Sequence, residues 1–420
     1  MNSRPVQMLK YKKQTGMNSE ICLYATHTRL AHCVGVMGLA AQMLDNMYER
    51  DFFEGEDKKQ LKRDISVAAL LHDVGHPPFS HAAEGALEAA GAGNHNERTE
   101  ELIRGELAGA IHDCGSDSER IVSLLDKKDG NPRGKIITSK SLGADKIGYL
   151  YQDQRITGHN AALPPDYRQL LHYLCFAGNE LKCSELETSA LVSFQNAYFS
   201  MYTDVYLRRQ ALSFERILLK ALQLAIKSGD IDASKVWDED EGWVQAKFKA
   251  SKVGAVRELN DRIVMRNGLK AAVAFRYEGY EESENVGDKH LAVVSCGESY
   301  LSSLAGHYAD LLKVAELENL IASEFKLKDS EIVVTRLNAP SKLIPEDVPL
   351  VSKAGFPTRS LFKRLPGHKA SLEEKAKNFF ALRVMVDEKH RARVAGAHKV
   401  IADIVKADYS QQKLFDSPAS

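Results

Sequence analysis

The chain has 420 residues, 44% of them hydrophobic, with a formal net charge of −1 and a pI near 6.9. This length exceeds one ordinary domain and the hydrophobic content is ample for a large core, so we expect one large domain with an appendage, or two domains. The balanced charge argues against a surface built mainly for nucleic acid or an anionic membrane, but it does not exclude a local basic pocket.

The sequence contains no signal for export or for membrane insertion. No run of about 18 apolar residues occurs, and the N-terminal residues MNSRPVQMLKYKKQ lack the apolar core of a signal peptide. The six cysteines are widely spread and form no CxxC pair, which favours reduced thiols over disulfides. We therefore expect a cytoplasmic protein without a membrane partner.

The first strong helical pattern begins at Thr26 or Thr28, either of which could serve as the N-cap. In THTRLAHCVGVMGLAAQMLDNMYER, apolar residues recur at helical spacing from Leu30 to Leu44. His32 lies within the first turns of this helix. It can therefore meet the end of a neighbouring helix if the two pack side by side.

A charged connection at 51–63 leads to an apolar helix at 65–74, which ends in the dipeptide His72-Asp73. Pro77 and Pro78 then prevent the helix from continuing. The apolar residues leave almost no polar face, so we expect this helix inside a helical bundle. An imidazole and a carboxylate at its end would cost several kcal/mol of desolvation, which a divalent metal ion would offset. A lone His-Asp pair is more often a core histidine bonded to its neighbour.

Further histidines around this segment favour the metal interpretation. His76 and His81 follow in the same turn region, and His95 stands just ahead of another helix that Asn94 or Asn96 could cap. So many imidazoles around one apolar segment are improbable as packing alone. Neutral imidazole and carboxylate ligands suit zinc, iron, manganese or similar divalent ions.

Two later regions complete the predicted architecture. In SLGADKIGYLYQDQRITG, Asp145, Tyr149 and either Gln152 or Asp153 fall on roughly one helical face, which could line a pocket. Residues 185–227 read as a long helix or a helix pair. From about residue 285, β-type runs at LAVVSC, EIVVTRL and FFALRVMV alternate with helices. We therefore predict a mainly α protein, with a helical bundle core at 1–284 and a smaller α+β portion at 285–420.

The order H…HD…D, formed by His32, His72, Asp73 and Asp145, resembles that of the HD-domain metal phosphohydrolases. Within that superfamily the chain is similar to the dNTP triphosphohydrolases, meaning the bacterial dGTPases and the animal dNTPase that carries a SAM domain. The similar stretches are LKYKKQTG at 9–16, HTRLAHCVGV at 27–36, LLHDVGHPPFSH at 70–81, ADKIGYLYQDQRITG at 144–158 and MYTDVYLRRQ at 201–210. The resemblance covers residues 5 to about 225.

This resemblance implies a role for each matched residue. The metal, which could be Mn, Mg, Fe, Zn, Ni or Co, would be held by the four residues of the H…HD…D set. The residues facing the phosphates would be Arg29, His76, His81, His95, Lys146 and Tyr149. A metal with nearby cations lowers the barrier to phosphoryl chemistry electrostatically and makes a water nucleophilic, while His81 or His95 could protonate the departing 5′ oxygen.

Selection of the sugar and base would fall, by the same resemblance, to Gln14, Asp153 and Tyr206. Asp153 would bond the 3′ hydroxyl and Tyr206 would crowd a 2′ hydroxyl, although Tyr206 could equally be an ordinary aromatic residue of the bundle. The resemblance also implies a homo-oligomer, with single-stranded nucleic acid or dNTP as further partners.

The chain departs from the family pattern at four positions. It has Ala31 where the family usually has Glu, Gly148 where it has Asp, and Gln152 where it has Arg. It also has Tyr198 where the family has an Arg that reaches the distal phosphates, and replacing a cation by a phenol weakens the case for a triphosphate substrate specifically.

Three functions compete on this basis. The leading hypothesis is metal-dependent hydrolysis of dNTP to deoxynucleoside and triphosphate. The alternatives are an HD phosphohydrolase acting on a nucleoside monophosphate or another nucleotide, and a non-catalytic sensor of nucleotide or nucleic acid. The four intact ligands argue against the sensor, because a non-catalytic relative has no chemical need for all of them.

Overall fold

The computed structural model describes residues 1–49, 53, 55–128, 130–159, 167–279, 290–335, 342–352 and 356–415. In this part of the chain the helices are α1 (Arg4–Met8), α2 (Arg29–Tyr48), α3 (Lys58–Leu71), α4 (His81–Ala89), α5 (His95–Arg104), α6 (Ala108–Asp113), α7 (Ser118–Leu125), α8 (Lys135–Thr138), α9 (Ala144–Thr157), α10 (Tyr167–Tyr173), α11 (Thr188–Met201), α12 (Arg209–Lys227), α13 (Ala233–Val236), α14 (Glu241–Ala250), α15 (Gly254–Val264), α16 (Glu298–His307), α17 (Leu311–Phe325), α18 (Leu361–Arg364), α19 (Pro366–Lys377), α20 (Glu388–Gly396) and α21 (His398–Phe415). The strands are β1 (Leu174–Ala177), β2 (Glu180–Ser184), β3 (Lys270–Tyr277), β4 (Ala292–Cys296), β5 (Ile332–Thr335), β6 (Leu350–Val351) and β7 (Ala381–Val386). The prediction of a mainly α protein with a smaller α+β portion is confirmed.

The chain folds into two units whose segments interleave along the sequence. Unit 1 consists of Met1–Tyr206, Ala233–Val244 and Pro345–Ala370, and unit 2 of Leu207–Asp232, Gln245–Ile344 and Ser371–Ser420. The predicted boundary after residue 284 lies outside the described residues, and that division stays a prediction. Helices α14 and α19 each contain residues of both units.

The core of unit 1 is the helical bundle in which α2 packs against α3 and α9. Helix α2 begins where the sequence predicts, since the side chain of Thr28 caps it by accepting a hydrogen bond from the amide of Ala31. Helix α3 begins earlier than predicted, because Asp57 caps it and carries the charged residues 58–63 into the helix instead of a connection. Its last turn is buried at Ala68, Ala69, Leu70 and Leu71, as expected for a helix that enters the bundle.

Of the two alternatives predicted for 185–227, a long helix or a helix pair, the structure has the pair, α11 and α12, separated by a π-helical turn at Tyr202–Tyr206. Unit 1 also contains a small sheet that the sequence analysis did not predict. Strands β1 and β2 form an antiparallel hairpin, and β6 pairs with β2 in parallel.

Unit 2 contains a four-stranded sheet in the order β4-β3-β7-β5. Strand β3 runs parallel to β4 and antiparallel to β7, which in turn is antiparallel to β5. The four strands of this sheet come from distant parts of the chain, and β3 lies before residue 285. The α+β portion therefore draws on residues before the position at which the sequence texture changes.

A cluster of charges is buried beside this sheet. The side chain of Glu318 is 1% exposed, and it accepts hydrogen bonds from Arg216 Nε at 2.9 Å and from the amide of Val334 at 2.8 Å. Lys220 Nζ lies 3.2 Å from its other oxygen. Burial alone would raise the pKa of Glu318, but the two cations more than offset burial and the pKa lies below its ordinary value.

Within the described residues, we find no helix that combines the length and the apolar character needed to cross a bilayer.

Candidate metal centre and active site

Four side chains from three elements of unit 1 converge at one point. His32 comes from the first turns of α2, His72 and Asp73 follow the last residue of α3, and Asp145 lies in the first turn of α9. The Nε2 atom of His32 is 3.3 Å from that of His72 and 3.1 Å from Asp145 Oδ1. His72 Nε2 is 3.5 Å from both Asp145 Oδ1 and Asp73 Oδ1. The structure thus brings together all four predicted metal ligands.

The chemistry of these donors fits a divalent metal ion. The Nδ1 atom of His72 bonds to the carbonyl of Ala69 at 2.8 Å, which leaves the Nε2 lone pair directed at the cluster. Burial opposes ionisation of Asp73 and Asp145, but the neighbouring imidazoles hold the pKa of each carboxyl well below its usual range. Both are therefore carboxylates at neutral pH, as metal ligands must be. His32, His72 and Asp145 form a group that could hold such an ion, and Asp73 Oδ2 lies 3.8 Å from His32 Nε2.

Arg29 lies against this centre, where it is buried and hydrogen-bonded. It is 3% exposed, its Nη1 donates to Asp73 Oδ2, and its Nε donates to Ser80 Oγ at 2.9 Å. Ser80 and Phe79 both adopt the left-handed conformation, with φ of 57° and 60°. The tight turn after the two prolines thus directs the Ser80 hydroxyl at the guanidinium, and this contact holds Arg29 beside the metal ligands.

The three other predicted catalytic histidines form a second cluster. The ring of His76 stacks on that of His95 with centroids 4.2 Å apart, and the ring of His81 is 5.0 Å from His76 and 5.3 Å from His95. His76 Nδ1 lies 3.3 Å from Asp73 Oδ1, which connects this cluster to the metal centre. Burial and the positive charge of Arg29 hold the pKa of His76 well below its ordinary value.

Glu84 organises these histidines, and the sequence analysis missed it. Its Oε2 accepts from His81 Nδ1 at 2.9 Å, while its Oε1 accepts from both the backbone amide and Nδ1 of His95. Burial would raise the pKa of Glu84, but these hydrogen bonds hold it well below its usual range. Glu84 lies one turn after His81 on α4, and this i, i+3 spacing was the signal in the sequence that could have identified it.

The predicted phosphate contacts Lys146 and Tyr149 lie near a row of tyrosines. Lys146 Nζ stands 4.4 Å above the ring of Tyr198, and burial lowers the pKa of Lys146 to about 8. Tyr198 stacks on Tyr202 at 4.4 Å, and burial keeps the pKa of Tyr198 far above neutrality. At the position of the family arginine, this chain therefore presents a neutral ring to the lysine.

The predicted sugar-binding residues Asp153 and Tyr206 are bonded to each other. Tyr206 Oη donates to Asp153 Oδ2, while His27 Nε2 lies 2.7 Å from Asp153 Oδ1. Gln14, the third predicted residue, donates from its backbone amide to the carbonyl of His27 at 3.0 Å. The sequence analysis did not assign a role to His27, although His27 opens the HTRLAH motif.

Two departures from the family pattern have a packing consequence. A Cβ atom on Gly148 would stand 3.1 Å from Val36 Cγ2, so glycine permits the close approach of α9 to α2. One turn later, Gln152 Nε2 occupies the space that a Cβ of Gly35 would need. At both positions this chain thus has a smaller residue than the family does, and both positions lie where α9 touches α2.

The comparisons with known proteins agree with this geometry. Residues 29–131 match the HD domain. The chain is 28% identical over 280 residues to an uncharacterized protein of Methanocaldococcus jannaschii, an alignment that covers 66% of this chain and 56% of that protein. It is 25% identical over 237 residues, covering 53% of this chain and 45% of the relative, to a protein of Dictyostelium discoideum named deoxynucleoside triphosphate triphosphohydrolase SAMHD1 homolog. The chain spans about half the length of these curated relatives.

The fold also resembles a solved structure. A phosphohydrolase from Bacteroides thetaiotaomicron superposes with a TM-score of 0.67 at 16% sequence identity, over 92% of this chain and 94% of that chain. At this identity the likeness concerns the fold. The predicted family resemblance is confirmed, since the chain contains an HD domain and is related to proteins named as dNTP triphosphohydrolases.

Proposed function

We propose that this chain is a metal-dependent phosphohydrolase that cleaves a deoxynucleoside triphosphate to deoxynucleoside and triphosphate. The observation that carries the proposal is the convergence in unit 1 of His32 and His72 with Asp73 and Asp145, in which each imidazole lies 3.1–3.8 Å from both carboxylates. Packing does not need four such donors at one point, and burying them is costly without a cation.

The four donors would hold a divalent ion, for which Mn, Mg, Fe, Zn, Ni and Co all suit the ligand types. When bound, such an ion lowers the pKa of water and polarises a phosphoryl oxygen. The protein supplies the remaining functions of the site. Arg29, held by Ser80 beside Asp73, contributes a fixed positive charge next to the reacting phosphate.

Proton transfer to the departing 5′ oxygen falls to the cluster of His81 and His95. Glu84 accepts from Nδ1 of both rings, so each neutral ring carries its proton on Nδ1 and keeps Nε2 as a lone pair. Protonation of either ring then produces an imidazolium that the Glu84 carboxylate stabilises. This arrangement suits a general acid.

Specificity for a deoxynucleotide rests on Asp153 and Tyr206, which would face the sugar. The hydrogen bond from Tyr206 fixes both side chains, so the ring can exclude a 2′ hydroxyl while Asp153 accepts from a 3′ hydroxyl. Tyr149 and Gln14 complete the substrate-binding set in this proposal, with Lys146 and His76 on the phosphate side.

A second candidate is hydrolysis of a nucleoside monophosphate or another nucleotide, and one observation favours it. Tyr198 places a neutral ring beside Lys146, so this position supplies no charge to bind a long polyphosphate. The first candidate is favoured by the relative in Dictyostelium discoideum that is named deoxynucleoside triphosphate triphosphohydrolase SAMHD1 homolog. The non-catalytic sensor, the homo-oligomer, the nucleic-acid or dNTP effector and the cytoplasmic location stay predictions.

The test is incubation of purified, metal-analysed protein with each of the four dNTPs and with dNMPs, resolving nucleoside, polyphosphate and orthophosphate. Release of triphosphate from a dNTP is the expected result. Asp145→Ala should lose both metal and turnover, whereas Asp113→Ala, an exposed aspartate of the same unit, should keep both. Orthophosphate from dNMP alone would favour the second candidate, and unchanged nucleotides would favour a sensor.

A further inference from the structure

We propose that Lys12 is a positioning residue of this site, whose buried side chain fixes the backbone at His76 and thereby holds the ring of His76 in its stack on His95. The proposal rests on the proposed function, in which His76 lies on the phosphate side of the site. Lys12 belongs to the LKYKKQTG stretch, 64 positions before His76 in the chain.

Lys12 is buried although it carries an ammonium group. It is 2% exposed, and its Nζ donates to the carbonyl of His76 at 2.7 Å and to the carbonyl of Trp237 at 2.8 Å. Burial and the positive charge of Arg29 lower the pKa of Lys12 to about 8, so the group stays mostly protonated at neutral pH. Burying a cation costs free energy that an apolar side chain of this size would not cost. Packing alone therefore gives no reason for a lysine at this position.

The ring of His76 depends on its surroundings for its orientation. Neither of its ring nitrogens has a hydrogen-bond partner among the described residues. The Nδ1 atom lies 3.3 Å from Asp73 Oδ1, a contact without the geometry of a hydrogen bond. The ring is held by its stack on His95, with centroids 4.2 Å apart, and by the backbone to which it is attached. The position of the backbone at His76 therefore determines where the ring stands.

The carbonyl of His76 is the point at which Lys12 holds this backbone. Pro77 and Pro78 follow it and have no amide hydrogen, so two consecutive residues of the turn cannot donate a backbone hydrogen bond. The amide of His76 is bonded within the turn, to the carbonyl of Asp73 at 3.1 Å. A hydrogen bond from a charged donor is stronger than one between neutral groups. Lys12 thus fixes the carbonyl side of His76 from outside the turn.

The second acceptor of Lys12 connects it to the other ring of the stack. The indole Nε1 of Trp237 donates to the carbonyl of Ala92 at 2.9 Å, and Ala92 lies between α4 and α5, three residues before His95. Lys12 therefore joins the backbone beside one stacked ring to the residue that holds the loop leading to the other. A displacement of about 1 Å at a catalytic group can lower a rate by about 10²-fold.

The experiment measures kcat and KM with the dNTP that wild type hydrolyses best, together with the metal content of each protein. Lys12→Met keeps the length of the side chain but removes the ammonium, and we expect it to lower kcat by about 10- to 100-fold. KM should change by less than about threefold, because the substrate contacts remain. The matched control is Lys10→Met, an exposed lysine of the same stretch, which should behave as wild type.

The same substitution is then made in a protein without the ring. In His76→Ala the carbonyl that Lys12 binds remains but no imidazole is left to hold, so adding Lys12→Met should lower kcat further by less than about twofold. An equal loss in both backgrounds would show a general structural role and overturn the proposal. If Lys12→Met does not fold, Lys12→Gln, which can donate to one of the two carbonyls, replaces it. Failure of both variants to fold would show that Lys12 acts in folding and would also overturn the proposal.

The outcomes distinguish the role of Lys12 from the function on which it rests. If wild type releases triphosphate and Lys12→Met keeps the wild-type kcat, the role of Lys12 is overturned while the proposed function stands. If wild type hydrolyses only dNMP, the proposed function is overturned, and the same variants decide the role of Lys12 with dNMP as the substrate. If wild type hydrolyses neither, both are overturned.

Discussion

Replacing Glu84 by glutamine tests whether the second histidine cluster is the proton donor of the reaction. The substitution keeps the size of the side chain but removes the charge that His81 and His95 share. One amide oxygen can still accept from one ring, while the amide NH2 faces the Nδ1–H of the other. That ring must rotate or change its tautomer, because two donors cannot bond to each other.

The size of the effect follows from the bonds that are lost. A hydrogen bond to a charged group contributes about 1.5–3 kcal/mol, which corresponds to roughly a 10- to 100-fold loss of rate if the whole contribution appears in the transition state. Complete loss of a general acid costs about 10²- to 10⁴-fold. We therefore expect Glu84→Gln to lower kcat by about 10²-fold with an unchanged metal content.

The pH dependence of this effect has a defined sign. The pKa of Glu84 lies well below its ordinary value of 4.5, because the hydrogen bonds from the two histidines outweigh burial. Its charge therefore contributes stability above pH 4.5, and this contribution is lost only as the pH falls through the lower pKa of the folded state. Near neutrality Glu84 stays ionised, so its charge is present in the wild-type protein at pH 6 and at pH 8.

The assay is steady-state hydrolysis of the best dNTP at both pH values, with metal analysis of each variant. Glu88→Gln, an exposed glutamate on the same helix, is the matched control and should behave as wild type. A kcat for Glu84→Gln within about threefold of wild type would refute the role of this cluster. Loss of the metal would show instead that the histidines and Glu84 act in metal binding.

Two further predictions concern the stability of unit 2 and are measured by chemical denaturation. Glu318→Ala leaves two buried cations without their counter-charge and should lower the free energy of unfolding by about 3–5 kcal/mol. The control is Glu324→Ala, exposed on the same helix, which should change this free energy by less than about 0.5 kcal/mol. Equal effects of the two substitutions would contradict the buried pairing. Burial opposes ionisation of Glu331, but hydrogen bonds from the amide of Lys328 and from Lys389 lower its pKa to about 2. Because this pKa is depressed, the stabilisation by Glu331 is present above pH 4.5 and disappears as the pH falls towards 2. The stability difference between wild type and Glu331→Gln should accordingly be largest at pH 7 and shrink below pH 4, and a difference that is constant from pH 7 to pH 3 would exclude the assigned charge.

The ends and caps of several helices were predicted from the sequence. The helix that begins after Thr28, the end of α3 at the His-Asp pair and the cap at Asn94 depend on capping residues, apolar spacing and prolines within a few positions. The four side chains of the candidate metal centre were also predicted, because each occupies a recognisable motif. Their convergence is the strongest agreement between sequence and structure.

The pairing of distant side chains was decided by tertiary structure alone. Glu84 stands between two histidines only because α5 returns to α4. Gly75 permits α5 to approach the turn after α3, since a Cβ there would lie 2.6 Å from the carbonyl of His95. Likewise, His27 meets Asp153 across 126 positions of sequence. A sequence specifies donors and acceptors one by one, but which acceptor a donor meets depends on how the helices pack.

The sheet of unit 2 shows the same division between local and non-local information. Strands β4, β5 and β7 were predicted as β-type runs and β3 was not, and β3 pairs with β7 from more than 100 residues later in the chain. Strand pairing is non-local, and its register is set by packing against the core rather than by neighbouring residues. The sequence by itself thus predicted the helices that carry the candidate ligands and the types of those ligands, whereas only the folded chain decided which charges are paired and how the two units share the chain.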